Sequence, residues 1–182
     1  MPDTALIVID MLNPYDHEDA DVLAGNVEET VGPLADLIAW AREADDVELV
    51  YVNDNYGDFA ARRDDLVERA LAGKRPDLVE PLVPPADVPF LQKVRHSAFY
   101  ATTLEYLLNQ RDVTDLVLAG QVTEQCILYS ALDAYVRHLT VRIASDAVAP
   151  IDPELGDAAL RMMASNMRAE VVTVAELTAR SG

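Results

Sequence analysis

Cys126 is the only cysteine in the 182-residue chain, and its surroundings suit a reactive thiol. Leu116-Val-Leu-Ala-Gly120 reads as a short buried strand closed by a glycine turn. Ile127, Ala131, Ala134 and Tyr135 then recur at helical spacing, with Thr123 as the expected N-cap. A thiol in the first turn of a helix faces the positive end of the macrodipole and unpaired N–H groups, and both favour the thiolate. The same N–H groups are placed to hold a developing oxyanion. Against this stands the commoner role of a lone cysteine as a small buried hydrophobe.

Two further residues share that location. Ala5-Leu-Ile-Val-Ile-Asp10 is a continuous apolar run ending in an acid. Phe90-Leu-Gln-Lys93 is a short strand ending in one of only two lysines, the other being Lys74. Asp10, Lys93 and Cys126 thus each stand at the carboxyl end of a strand, where open α/β sheets place their ligands. An ammonium stabilises a thiolate, and a carboxylate takes the thiol proton and later delivers it to a leaving amine. The three together describe nucleophilic catalysis on a carbonyl.

The elements that must position them alternate between strand and helix. Strands are expected at 5–10, 47–52, 90–93, 116–119, 140–144 and 170–174, and helices at about 25–44, 62–71, 102–111, 123–135 and 155–167, with a last short helix at the C-terminus. Asn26 is the expected cap of the first helix, Gly73 the stop of the second, and the proline-rich 76–89 holds no long regular element. The first strand is apolar throughout rather than alternating, as in a parallel strand buried on both faces. The expected fold is α/β, a three-layer αβα arrangement around a six-stranded, mostly parallel, doubly wound (Rossmann-like) sheet. Its length suits a single domain over residues 1–182.

Composition narrows the partners. With 32 acidic against 14 basic side chains, the formal charge is −18 at pH 7, which argues against nucleic acid and anionic membranes. No apolar run approaches the length of a membrane span, the first residues lack a signal-peptide pattern, and one cysteine forms no internal disulfide, so a cytoplasmic location is expected. So acidic and lysine-poor a surface suggests a high-salt or an acid-biased proteome, the former implying stability that rises steeply with salt.

The motifs Ala5-Leu-Ile-Val-Ile-Asp10-Met, Lys93-Val-Arg-His-Ser-Ala-Phe99, Gly120-Gln-Val-Thr-Glu-Gln-Cys126, Ser130-Ala-Leu-Asp-Ala-Tyr135 and Asp146-Ala147, in this order and spacing, resemble the isochorismatase-like cysteine hydrolases. That family includes nicotinamidases, N-carbamoylsarcosine amidase and isochorismatase, and the resemblance spans nearly the whole chain. It implies a six-stranded parallel sheet and an Asp–Lys–Cys triad carried over to Asp10, Lys93 and Cys126. It also implies a non-proline cis peptide before Val122, an oxyanion hole from the N–H groups of Val122 and Cys126, and assembly as a homodimer or homotetramer.

The departures from the pattern matter too. Glu124 stands where members usually carry Asp. Nicotinamidases carry a metal site of one Asp and two or more His after the second strand, whereas here that loop reads Asn53-Asp54-Asn55-Tyr56-Gly57 without histidine. One carboxylate and two amides suit a transition metal poorly, so no metal and no cofactor are expected. Tyr15, Asn55, Tyr56 and Phe99 fall in rim loops and are the expected substrate walls, with core packing the alternative for Phe99. His138 near a helix end, Asp133, and Met162, Met163 and Met167 at helical spacing are expected to be structural, and His96 to be a solvated loop residue.

The function expected is hydrolysis of a small amide or related C–N bond through a thioester on Cys126, without metal. One alternative is an isochorismate-type enol-ether hydrolase with Asp10 as general acid and a dispensable cysteine. The other is a non-catalytic ligand-binding or redox-sensing protein that keeps the pocket and the thiol.

Overall fold

Six consecutive residues of β1 (Thr4–Ile9) are buried, which only a central strand covered on both faces achieves. The structure, a computed structural model, describes residues 3–179. β1 pairs in parallel with β2 (Val47–Asp54) on one side and with β4 (Asp115–Gln121) on the other. β3 (Phe90–Lys93), β5 (Thr140–Ala149) and β6 (Glu170–Val172) complete a parallel sheet of order β3-β2-β1-β4-β5-β6. This is a doubly wound sheet whose chain reverses direction of travel between β1 and β4, the point where such sheets open a crevice for ligands.

The helices are α1 (Ala20–Val27), α2 (Val31–Glu43), α3 (Arg63–Leu71), the single turn α4 (Pro76–Val79), α5 (Leu104–Gln110), α6 (Leu128–Val136), α7 (Pro153–Met167) and α8 (Val174–Ala179). Side chains alternate across a strand, so β1 feeds two cores. Leu6 and Val8 pack with Leu23, Leu34, Leu37, Leu66 and Leu177 of α1, α2, α3 and α8. Ala5, Ile7 and Ile9 pack with Leu104, Ala131, Ala134 and Met163 of α5, α6 and α7. The result is the expected three-layer arrangement. Among the described residues no helix is long and apolar enough to cross a membrane.

Local differences from the expected elements have identifiable causes. The helix expected over 25–44 is two, α1 and α2, parted at Glu28–Thr30 just before Gly32-Pro33. α1 begins at Ala20, inside a stretch whose acids Asp16, Glu18 and Asp19 read as a loop. Asn26 caps nothing; from within α1 its Nδ2 donates to the carbonyls of Pro150 (2.8 Å) and Ile151 (3.2 Å). β5 continues to Ala149 because, past an irregularity between Leu118 and Gly120, Val148 and Ala149 pair with Gly120 and Gln121. Met163 and Met167 face the sheet, but Met162, about 100° around the helix, is 47% exposed.

Candidate active site

Gly120 lets the two central strands meet at the crevice. Its φ is +115°, and a Cβ there would lie 2.1 Å from the Ile9 carbonyl oxygen, so no other residue fits without moving β1. Beyond Ile9 the chain turns sharply. Asp10 adopts φ +57°, a conformation that Asp tolerates better than most residues, while its N–H still donates to Val52 O at 3.0 Å. Tyr15, Tyr56 and His96 in the neighbouring loops also have positive φ. Such left-handed residues cluster where surrounding contacts hold a site in shape.

Those contacts are on the same rim. Asn53 Oδ1 accepts from Leu12 N–H (2.9 Å) and the Tyr56 hydroxyl donates to Leu12 O (2.9 Å), fixing the loop after β1 to β2. Gln121 Nε2 donates to Asp10 O (2.6 Å), tying that loop to β4 as well. Gly73 approaches so closely that a Cβ would lie 2.3 Å from Pro14 O, and Lys74 N–H donates to the same oxygen at 3.0 Å. Asp10 is therefore held from three directions.

The three expected residues come together. Lys93 Nζ lies 2.8 Å from Asp10 Oδ2 and 3.6 Å from Cys126 Sγ, with the lysine side chain 1% exposed. A fourth group, Asp54, joins them: its Oδ2 is 3.5 Å from Lys93 Nζ and its N–H donates to Asp10 Oδ1 at 2.8 Å. The β2–β3 register pairs Asp54 with Lys93, which places one beside the other.

Cys126 lies in a π-helical turn (Thr123–Ile127) ahead of α6 rather than in a regular first turn. The N–H groups of Gln125 and Ile127 both donate to Val122 O at 3.1 Å. Among the described residues the buried Thr123 hydroxyl has no partner, and it makes no cap. Ser130 donates to Cys126 O (2.6 Å) and accepts from Ala98 N–H (2.9 Å), linking the turn to the segment after β3. The Gln121–Val122 peptide is cis.

The electrostatics correct one expectation. Burial pushes the Cys126 thiol well above its ordinary range, the Asp10 carboxylate pushes it further, and Lys93 together with the Val122 N–H opposes without prevailing. Burial and the neighbouring Asp10 carboxylate thus favour the thiol over the thiolate that a helix N-terminus and a lysine were expected to hold. Burial also raises the Asp10 carboxyl, against the pull of Lys93 and its hydrogen bonds. Burial alone would lower Lys93, but Asp10, Cys126 and Asp54 outweigh it and keep the ammonium charged.

The four groups form the floor of a cavity of about 330 Å³, large enough for a small molecule. Of the expected walls only Tyr56 lines it. Tyr15 is buried beneath, its hydroxyl 3.5 Å from Gln121 Oε1. Asn55 is buried and accepts from Gly57 N–H, and Phe99 belongs to the core with the Arg137 guanidinium over its ring at 4.9 Å. Both histidines His17 and His96 do line the cavity, along with Asn13, Asp19, Gln125 and Ile151. Most of these lie on loops or at the start of α1, where sequence carries little signal; the acids around His17 marked a polar segment but not its direction. Asp133 pairs with Arg137 at 2.6 Å, a structural role as expected.

The loop after β2 does not present a ligand set. Asp54 is engaged by Lys93 and by Tyr56 N–H (2.8 Å), Asn53 by Leu12, and Asn55 by Gly57. Among the described residues no group of three or more His, Cys, Asp or Glu side chains could hold a metal ion.

A family model for the isochorismatase domain matches residues 4–176. The chain is 31% identical over 171 residues to the isochorismatase family protein YaaI of Bacillus subtilis, covering 94% of each chain. It superposes on an isochorismatase-like hydrolase from Alkaliphilus metalliredigens with a TM-score of 0.79 and 26% identity, covering 98% of this chain and 99% of that one. It also superposes on N-carbamoylsarcosine amidase from Thermoplasma acidophilum with a TM-score of 0.71 and 27% identity, covering 96% and 97%. The match runs from β1 through the rim carrying Asp10, Lys93 and Cys126 to α8, and the chain belongs to the isochorismatase family.

Proposed function

We propose that the protein hydrolyses a small amide or related C–N bond through a thioester on Cys126, without a metal. The observation that carries this is the Lys93 ammonium lying within 2.8 Å of Asp10 Oδ2 and 3.6 Å of Cys126 Sγ at the floor of a small-molecule cavity. The likeness to an enzyme named as an N-carbamoylsarcosine amidase supports the class of bond.

In the first half-reaction the Cys126 thiol gives its proton to Asp10 as sulfur attacks the substrate carbonyl. Burial pushes the thiol upward, which favours attack concerted with this proton transfer over attack by a preformed thiolate. The N–H groups of Val122 and Cys126 hold the oxyanion. Asp10 then protonates the nitrogen, the C–N bond breaks, and an amine or ammonia leaves the thioester behind. In the second half Asp10 takes a proton from water, which attacks the thioester, the C–S bond breaks, and the acid departs as Cys126 regains its proton. Lys93 stays protonated throughout and holds Asp10 in place. Turnover of a panel of small amides and ureas tests this: the wild-type protein hydrolyses at least one, and Cys126→Ala loses that activity.

A second reading has one observation in its favour. Burial raises the Asp10 carboxyl, which suits a general acid protonating an enol ether as in isochorismate cleavage. That chemistry needs no nucleophile, so Cys126→Ala would still cleave isochorismate.

A further inference from the structure

We infer, on the basis of the hydrolase reading above, that the substrate is an uncharged or cationic amide or urea and not one bearing a carboxylate. The charges that face the cavity are three carboxylates, Asp10, Asp19 and Asp54, and one ammonium, Lys93. That ammonium is already shared between Asp10 at 2.8 Å and Asp54 at 3.5 Å, so it has no charge to offer a substrate anion. Among the described residues no arginine lines the cavity. Arg69 pairs with Asp16 at 3.6 Å and lies over the Tyr56 ring, and Arg95 lines the adjoining groove with Tyr100 and Tyr129, on the other side of His96. A carboxylate taken out of water beside Asp19 and Asp54 would find no fork of donors to replace its hydration.

Asp19 gives the preference a place. It stands at the N-cap of α1, at the cavity mouth, and among the described residues its side chain makes no hydrogen bond or ion pair, its helix gaining no side-chain cap from it. An exposed carboxylate facing the cavity without a partner is set to receive an ammonium or an N–H donor at the end of the substrate remote from the scissile bond. His17 and His96 also line the cavity, and their ring nitrogens offer hydrogen-bonding groups to a substrate. The formal charge of −18 acts in the same direction at longer range, concentrating cations and repelling anions.

The test reads the charge of the cavity without requiring turnover. Cys126 is the only thiol, so its alkylation by iodoacetamide and by iodoacetate, reagents of nearly equal size, is measured by mass spectrometry and normalised to free cysteine. The same thiol serves both reagents, so its pKa cancels in the ratio. The preference for iodoacetamide should exceed that of free cysteine by about tenfold and shrink by about threefold in Asp19→Asn. It should persist in about 1 M salt, where the Debye length is about 3 Å and only neighbouring charges act. A ratio equal to that of free cysteine, or one that vanishes in high salt, overturns the inference. Turnover of 4-aminobutanamide, succinamide and succinamate supplies the second arm, with succinamate at least about tenfold the poorest in kcat/KM. Equal turnover of succinamate overturns the inference. A strong labelling preference with no amide turned over would overturn the hydrolase reading and leave the charge assignment standing.

Discussion

Lys93 Nζ sits 2.8 Å from Asp10 Oδ2, and the lysine is as buried as the core leucines around the sheet. A buried pair of this kind is costly to break rather than valuable to keep, because removing one partner leaves the other charged in a poor solvent. Lys93→Met should therefore destabilise the fold by about 3–5 kcal/mol near neutral pH, with Asp10 and Asp54 left facing each other. The loss should shrink on acidification, as the Asp10 carboxyl, which burial raises, takes up a proton. Urea denaturation at pH 7 and pH 5 checks both statements.

The thiol makes a separate prediction about alkaline pH. A folded-state thiol pKa raised above the ordinary value means that the native protein holds this proton more tightly than the unfolded chain does. Its contribution to stability is complete below the unfolded value of about 8.5 and is lost as pH rises above it, by up to about 1.4 kcal/mol per pH unit. Cys126→Ala removes that term. The wild-type protein should lose stability faster than the variant between about pH 8.5 and 10, with the buried tyrosines affecting both alike. Parallel curves in guanidinium titrations across that range would contradict the assigned environment of the thiol.

Gly120 tests the meeting of the central strands. Alanine there would combine φ +115° with a Cβ 2.1 Å from Ile9 O, and a backbone carbonyl in β1 cannot swing aside. Gly120→Ala should cost about 3 kcal/mol or more and displace Asp10 together with β1. Thermal melting gives the first, and a change in the iodoacetamide reactivity of Cys126 gives the second.

Glu124 is a positioning residue. Its Oε1 accepts from the N–H groups of Ile151 and Asp152, both at 2.9 Å, while Asn26 holds the carbonyls of Pro150 and Ile151 from the other side. Ile151 lines the cavity, so the longer acid at this position sets a wall of the site. Glu124→Ala should destabilise by about 1–3 kcal/mol, and raise KM more than it lowers kcat, with Glu124→Gln recovering most of both. Steady-state kinetics on the best amide of the panel separates the two constants.

What the sequence disclosed and what it hid divide along physical lines. The continuous apolar run before Asp10, the strand ending in Lys93 and the strand–glycine turn before Cys126 are local signals, and they placed the three groups at one rim. Asp54 was legible only as an acid in a polar loop; its partnership with Lys93 follows from the β2–β3 register, which no single segment encodes. α1 was hidden because its start is acidic, and with it went Asp19 as a cavity residue. Position in the sequence puts Tyr15 and Phe99 at the rim, but where a side chain points from a loop depends on distant contacts such as that of Tyr15 with Gln121. The thiol's state was hidden for the same reason: a helix N-terminus is visible in sequence, whereas the burial that outweighs it is not.

The proposed mechanism requires Cys126 to carry the acyl group. Intact-protein mass spectrometry during turnover, quenched in acid, tests it most directly. A transient mass increase equal to the acyl part of the amide is expected on Cys126, absent in Cys126→Ala and strongly reduced in Asp10→Asn. Hydrolysis that proceeds in Cys126→Ala at the wild-type rate, with no adduct at any time, would contradict it.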